Sequence, residues 1–408
     1  MTPETSQPAS LVVFSDDWGR HPSSCQHLIR QLLPSYRVLW VNTIGTRAPR
    51  IDMATFRRVR EKVRQWSMSS PRPEDADAVD MHHNLRVVNP RMWPWFSKSY
   101  DRRLNSYLLN RQLAPLIKAL PQPVTAISTL PITADLCGRL PVNKWLYYCV
   151  DDFGEWPGLD GDTLRLMDVQ MIQRADEIVA VSNTLQRFMA SQGRTSHLLT
   201  HGVDLDYWSA GDSPETESLT AKSPEPTNAL PDNLQGPLAV FWGVVDQRLS
   251  VDMLIALSQK MEEGQIVLVG PQQDPDERLK DLDNVHLIGP RPFQLLPQIA
   301  AQADALIMPY ADLPVTRAMQ PLKMKEYLAT GKPVVVSRLP AVEEWHDCLD
   351  ICKTPEQFAA TVIQRIHSSV PTDQYIARQR LQDESWKSKA AELQLRLPVT
   401  CQENGGLK

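Results

Sequence analysis

The sequence predicts an α/β protein of two doubly wound domains, each built on a mainly parallel sheet. Three observations predict this. Short apolar runs alternate with helix-period stretches along the chain, the order that βαβ units produce. The stretch Met319–Ser337 (MQPLKMKEYLATGKPVVVS) shows one helix–strand half of such a unit. The segment Gly211–Gly236 is rich in Pro, Ser, Thr and Glu, holds too little apolar surface to offset chain entropy, and reads as a mobile linker. The expected organisation is residues 1–210, a linker over 211–236, a second domain over 237–372 and a C-terminal helix over 373–398.

Composition narrows the function. An apolar share of 42% and a charged share of 22% are those of an ordinary globular protein. A net charge of −5 gives no global electrostatic case for nucleic acid. No apolar run is long enough to span a bilayer, and MTPETSQPAS does not read as a signal peptide, so a cytoplasmic location is expected. The cysteines are scattered. Cys348 and Cys352 form the only close pair, with no second pair to complete a metal site, so no metal is expected.

In order, Leu11–Phe14 reads as a buried strand, Ser23 or Ser24 as the cap of a helix to Leu33, and Arg37–Asn42 as a second strand: a parallel βαβ opening. Ser15–Ser24 is then a candidate site wall, because ligands of open α/β sheets lie beyond the strand C-termini. Thr46–Met68 repeats Met53, Phe56, Val59, Val63 and Trp66 at helical spacing amid seven Arg or Lys residues. Such a segment suits either an anionic membrane surface or a core-facing helix with a solvated basic side. Asn84–Asn89 reads as a strand and Tyr100–Leu120 as a helix that Pro115 should kink or split. Pro123–Ser128 is a strand, Ile132–Leu140 a short helix, and Trp145–Val150 a strand running into Asp151 and Asp152. Two adjacent carboxylates at a strand C-terminus suit a site, although they also suit a helix cap. A helix (Leu164–Ala175), a strand (Glu177–Val181) and a helix capped by Ser182 or Asn183 complete the first half.

Leu238–Gly243 opens the second half as a strand, followed by a loop with Arg248 and a helix from Val251. Strands at Ile266–Val269, Val285–Gly289 and Ala305–Met308 follow, with a helix at Phe293–Ala301. Pro321 then suits a first helical turn. Leu322, Met324, Tyr327 and Leu328 form an apolar stripe, Gly331 stops the helix, and Val334–Val336 is a strand buried on both faces. A helix N-terminus with Lys323 and Lys325 beside it suits a diphosphate, and Glu326, one turn in, suits ribose hydroxyls. Pro355 begins a helix to about His367, and Gln374–Leu397 reads as one long polar helix.

PLKMKEYLATGKPVVVS (Pro321–Ser337) resembles the nucleotide-sugar-binding segment of GT-B glycosyltransferases, in the bacterial retaining, family 4-like branch with P-x-K-x-x-E-Y-L-A-x-G-K-P-V-V. YYCVDDFGEWPG (Tyr147–Gly158), RADEIVAVSNTLQRFM (Arg174–Met189), THGVDLDYW (Thr200–Trp208) and FWGVVDQRLSVDML (Phe241–Leu254) are similar to further elements of that branch. The resemblance implies two Rossmann-like domains facing a cleft, with the last helix crossing back to the first domain. It implies that Glu326 is the second glutamate of the family's E-x7-E signature, whose first position here is Ala318. Pro321, Leu322 and Lys323 open the donor segment, Gly243 ends the first strand of the donor domain, and Arg248 binds diphosphate with Lys323. Asp151 or Asp152 contacts the transferred sugar or the acceptor, and Val285–Ile288 frame the base. His201, standing where the branch usually has asparagine, is a weaker candidate.

The implied function is metal-independent, retaining transfer of a sugar from a nucleotide-diphosphate sugar to a glycan or lipid-linked acceptor in cell-envelope or exopolysaccharide synthesis. The donor is a substrate, so no cofactor is expected. The implied place is the cytoplasm, at the inner membrane face if Thr46–Met68 docks there. A sugar-nucleotide epimerase of the same fold and a non-catalytic scaffold are the alternatives. The epimerase would turn over without an acceptor; the scaffold would bind donor without turnover.

Overall fold

A computed structural model describes residues 9–20, 23–42, 82–209, 229–231 and 233–398. The basic segment Thr46–Met68 and the linker residues 211–228 and 232 lie outside the described residues. The chain divides into two compact units: Met1–Val179 with Met189–His197 and Leu393–Lys408, and Ala180–Phe188 with Leu198–Glu392. These bounds differ from a division at 210. Residues 198–209, His201 among them, cluster with the second unit, and so does the greater part of the stretch 373–398.

The first sheet comprises β1 (Ser10–Ser15), β2 (Arg37–Asn42), β3 (Leu85–Val88), β4 (Val124–Ser128), β5 (Lys144–Cys149), β6 (Glu177–Ala180) and β7 (His197–Leu198) in the order β3-β2-β1-β4-β5-β6-β7. The β1–β2, β2–β3, β1–β4 and β4–β5 pairs are parallel. Every residue of β1 and of β4 is buried, which is why Leu11–Phe14 reads as an unbroken apolar run, whereas β4 buries Thr125 and Ser128 among its apolar residues. Ser23 Oγ accepts from the Gln26 amide and caps α1 (Ser24–Leu32). Near the end of the described chain, Lys144 Nζ donates to the Arg396 carbonyl at 2.8 Å and Tyr36 Oη to that of Pro398 at 3.4 Å.

The second sheet comprises β8 (Leu238–Trp242), β9 (Gln265–Val269), β10 (Val285–Gly289), β11 (Ala305–Met308), β12 (Val334–Ser337) and β13 (Asp350–Cys352), in the order β10-β9-β8-β11-β12-β13. All its pairings are parallel. The three-residue β13 was too short to stand out as a periodic run. In each sheet the strand order reverses beside its first strand, between β1 and β4 and between β8 and β11. The loops leaving those strands at their C-termini are therefore where a ligand is expected.

Three helix expectations are corrected. Residues 99–118 form one continuous helix, α2 (Ser99–Lys118), so Pro115 does not split it. The proline lies in the last turn, and both it and Arg111, whose carbonyl it cannot serve, are exposed residues. The turn at Pro131–Leu136 is a 3-10 helix, shorter than expected. The long helix over 374–397 is broken into α11 (Thr372–Ala377), a 3-10 stretch (Arg378–Glu384) and α12 (Trp386–Gln394). Tertiary hydrogen bonds break it. The buried Arg378 guanidinium donates to the Cys348 and Lys332 carbonyls, and the Val203 amide takes the Glu384 carbonyl at 2.9 Å. Ser385 is extended (φ −67°, ψ 151°), and its hydroxyl caps α12 by accepting from the Ser388 amide.

The other helices are α3 (Gly161–Arg174) and α4 (Asn183–Ser191), then α5 (Leu205–Ser209), α6 (Val251–Lys260), α7 (Leu296–Gln302), α8 (Pro314–Ala318), α9 (Leu322–Ala329) and α10 (Pro355–Ile366). No helix among the described residues is long and apolar enough to cross a membrane.

Candidate functional site

The second unit gathers most of the expected site residues where β8, β9 and β11 end and α9 begins. Pro321 is the N-cap of α9 with φ −67°, and Gly331 closes the turn after it at φ 74°. Met324, Tyr327 and Leu328 enter the core, whereas Leu322 is only half-buried. The Tyr327 hydroxyl, fully buried, accepts from the Trp242 amide at 3.0 Å and so fixes the end of β8 to α9.

At that strand end Gly243 adopts φ 142°, and a Cβ there would stand 2.2 Å from Lys323 Nζ. The glycine is what lets the ammonium approach the backbone. Lys323 Nζ donates to Tyr310 Oη at 2.5 Å and lies 4.5 Å from the Phe241 ring centroid, a cation–π contact that holds the charge in place. Gly270, at the end of β9, adopts φ 149°, and a Cβ on it would lie 1.9 Å from the Gly243 carbonyl oxygen. Gly270→Ala is therefore expected to lower stability by about 1–3 kcal/mol through backbone strain alone, measured by urea denaturation. An unchanged midpoint would show that the two loops are not locked together.

Glu326 keeps partial solvent exposure as a residue, while its carboxyl group lies deep in the protein. Trp242 Nε1–H donates to Glu326 Oε2 at 3.3 Å. Burial pushes the carboxyl up to about 7, against the indole donor and the Lys323 ammonium, which pull it down. Near neutral pH this group is poised between an acceptor-only carboxylate and a donor-bearing acid. Tyr207, stacked on Phe293 at 5.0 Å with 4° between the rings, lies near enough for the Glu326 charge to raise its phenol pKa, behind burial as the main cause.

Arg248 takes a different place from a free phosphate-binding guanidinium. It is buried, and its Nε and Nη2 embrace Asp246 at 3.0 and 2.8 Å. Its carbonyl accepts from the Ala311 amide, and Leu249 bridges to Tyr310, so the loop sits beside the tyrosine that holds Lys323. The spacing of arginine and aspartate in Asp246-Gln247-Arg248 is the signal for this clamp.

Lys325 corrects the expectation that both lysines serve an anion. Only 1% of Lys325 is exposed. Its ammonium is bonded to the Glu384 carboxylate and to the Thr200 hydroxyl and His201 carbonyl, the last at 2.5 Å. Burial pulls its pKa down to about 8, against the attraction of Glu384. His201 thus lies against α9 through its carbonyl, and its buried ring stands 6.4 Å from that of Trp386.

In the first unit the loop after β5 carries Asp151 and Asp152. Arg165, on α3, clamps Asp152 at 2.7 and 2.9 Å and reaches Glu155 at 3.1 Å. A Cβ on Gly154 would meet Arg165 Nε at 2.8 Å, so this glycine makes room for the clamp. Beneath it lies Asp168, whose position in the sequence carries no signal for a site. It is 1% exposed and accepts from Tyr147 Oη at 2.6 Å. Burial lifts it to about 6, against the Tyr147 donor.

Between the usual carboxylate range and about 6 the native state therefore holds the extra proton, and stability falls as pH rises through that window. Tyr147→Phe removes the donor that favours the ionised form. It should cost about 1–3 kcal/mol, more at pH 8 than at pH 5, as thermal melts at the two values would show. An equal cost at both would place the loss in packing alone. Among the described residues, no group of three or more His, Cys, Asp or Glu could hold a metal ion.

Residues 236–368 match the family model described as Glycosyl transferases group 1, a span that contains Gly243, Arg248, Pro321, Leu322, Lys323 and Glu326. Over 185 residues the chain is 26% identical to Bacillus subtilis (strain 168) TuaH, which is named as a glycosyltransferase of teichuronic acid biosynthesis. That match covers 44% of this chain and 45% of the relative, less than half its length. Among solved structures, sucrose-phosphate synthase from Thermosynechococcus elongatus superposes with a TM-score of 0.67 at 14% identity, covering 95% of this chain and 98% of that one. Anabaena Alr3699/HepE in complex with UDP and glucose gives 0.62 at 14% identity, covering 95% and 99%. At such identity these likenesses establish the fold: the chain has the two-sheet GT-B architecture.

Proposed function

We propose that a chain carrying a glycosyl transferases group 1 domain on a GT-B fold is a glycosyltransferase, moving a sugar from a nucleoside-diphosphate sugar to a glycan or lipid-linked acceptor in cell-surface polysaccharide synthesis. The observation that carries the reading is the convergence of Lys323, the N-terminus of α9, the two close-packed glycine turns and the Glu326 carboxyl within the second unit. A diphosphate laid on the first turn of α9 would meet free amides and one fixed ammonium. Negative charge grows on that leaving group as the glycosidic bond breaks, so a positive charge already held by Tyr310 and Phe241 needs no rearrangement to stabilise it. Glu326, as a carboxylate, would accept from the ribose hydroxyls. Asp152 and Asp151 would orient the sugar or acceptor, with Arg165 setting the rotamer of Asp152. HepE, solved with UDP and glucose, supports a nucleotide-sugar donor for this chain.

Metal independence, retention at the anomeric carbon, action at the inner membrane face and contact of Thr46–Met68 with lipid belong to the same proposal. The test is release of nucleoside diphosphate from a panel of nucleotide sugars, with and without lipid-linked acceptors. Acceptor-dependent release supports transfer, and release without acceptor would point to an epimerase-like or hydrolytic enzyme instead. The scaffold reading gains from one observation, the neutralisation of Arg248 by Asp246, which leaves Lys323 to meet the diphosphate. Donor binding with no turnover against any acceptor would favour it.

A further inference from the structure

Glu326 has neighbours in the second unit that diphosphate and ribose contacts do not use. The Lys323 ammonium acts on Glu326, Glu326 acts on Tyr207, and Tyr207 lies flat on Phe293, so these groups follow one another. A nucleotide with its diphosphate at Lys323 and its ribose on Glu326 has its base still to place. Tyr207 and Phe293 come next in that order.

Phe293 ends the loop Pro290-Arg291-Pro292-Phe293 that leaves β10, and this loop is held along its length. Its two prolines fix φ. The Gly270 amide donates to the Gly289 carbonyl at 2.9 Å, and the Leu295 amide to that of Pro292 at 3.0 Å. Arg291 Nη1 donates to the Ile288 and Pro290 carbonyls at 3.0 and 3.2 Å, and its Nε to the buried Ala229 carbonyl at 3.2 Å. The Tyr207 hydroxyl donates to the Phe293 carbonyl at 2.7 Å. Trp208, its neighbour on α5, meets the Phe293 ring edge-on at 5.6 Å and stacks at 5.4 Å on Trp242, the residue whose indole donates to Glu326. The loop is thus tied to the same group that holds the ribose carboxyl.

We propose that Tyr207 and Arg291 are positioning residues for the nucleobase, fixing the loop Pro290–Phe293 as the wall that reads the base edge. The Tyr207 hydroxyl is engaged by one carbonyl and the Arg291 guanidinium by three, so each acts through the backbone rather than on the ligand. Bases differ in where their edges place donors and acceptors, and a wall that is already ordered discriminates between them without an ordering cost on binding. The proposal rests on a nucleotide donor bound along α9, and the experiment separates the two.

The test is calorimetric titration of the full chain with UDP, GDP and ADP, the weaker binders being measured by displacement of the strongest. The wild type is expected to prefer one of the three. Tyr207→Phe keeps a ring on Phe293 and loses the hydrogen bond. Affinity for the preferred nucleotide should then fall roughly fivefold, as removal of one neutral hydrogen bond allows. The other two, held by diphosphate and ribose, should keep theirs. Arg291→Gln should narrow the preference in the same way through different bonds. A merely structural role would move all three affinities together, as Lys323→Ala should. A variant that keeps the wild-type preference, or weakens all three nucleotides alike, strikes its residue from the proposal. Three equal affinities in the wild type would overturn the proposal for both residues and leave the donor site standing. Binding of none of the three would remove the donor site, and the proposal with it.

Discussion

Glu326→Gln is expected to weaken nucleoside-diphosphate binding by roughly 10- to 100-fold, the loss that follows when a charge-assisted hydrogen bond becomes a neutral one. The same change should make the protein more resistant to heat at pH 8. Burial pushes this carboxyl up to about 7, so between its ordinary value and 7 the folded state binds the extra proton. Stability contributed by the buried acid is thus present at low pH and falls as pH rises through that window. Glutamine, neutral at every pH, escapes the cost. At pH 5, where both side chains are uncharged, the two proteins should melt alike. A variant that is stabilised at pH 8 yet binds nucleotide poorly would separate the role of the carboxylate in binding from any role in folding. Equal melting at pH 8 would mean that Lys323 and Trp242 already compensate the buried charge.

Lys325→Met should be the most destabilising single change considered, costing about 3–5 kcal/mol, because it breaks a buried ion pair and leaves its acid behind. The loss is tempered by Lys389 Nζ, which lies 2.9 Å from Glu384. The pairing holds the Glu384 carboxyl below its usual range, behind an opposing burial effect. Its share of stability is therefore present above the ordinary glutamate pKa and lost as pH falls through the lowered one. Acid titration of wild type and variant by circular dichroism should show the wild-type advantage shrinking in acid. A variant with wild-type stability at neutral pH would mean that the ammonium contributes nothing beyond its own desolvation.

These two neighbours on α9 show how far the sequence could be read. The helix, its proline start, its glycine stop and the buried strand after it were legible because each has a local physical cause: a missing amide, a positive φ, β-branched packing. Glu326 and Lys323 were legible as candidates because Lys323 lies in the first turn of this helix and Glu326 one turn in. That Lys325 turns inward was not, since its partners Glu384, Thr200 and the His201 carbonyl come from distant parts of the chain. Arg248 was read for its charge, and its neutralisation by Asp246 is a matter of side-chain geometry. The same holds for Asp168 and Arg165 beneath Asp152, and for the extended Ser385 that interrupts an otherwise helical pattern. Periodicity reports local structure, whereas these features are set by long-range hydrogen bonds that override it.

The most direct measurement is calorimetric titration of the wild type and Lys323→Ala with UDP, GDP and ADP. If α9 and the Gly243 turn hold a diphosphate, at least one nucleoside diphosphate binds the wild type. Lys323→Ala then loses about tenfold or more of that affinity, as removal of a fixed charge-assisted bond requires, with its melting temperature unchanged in the absence of ligand. No binding by any of the three nucleotides, or equal affinity in the two proteins, would contradict a donor site at this place in the fold.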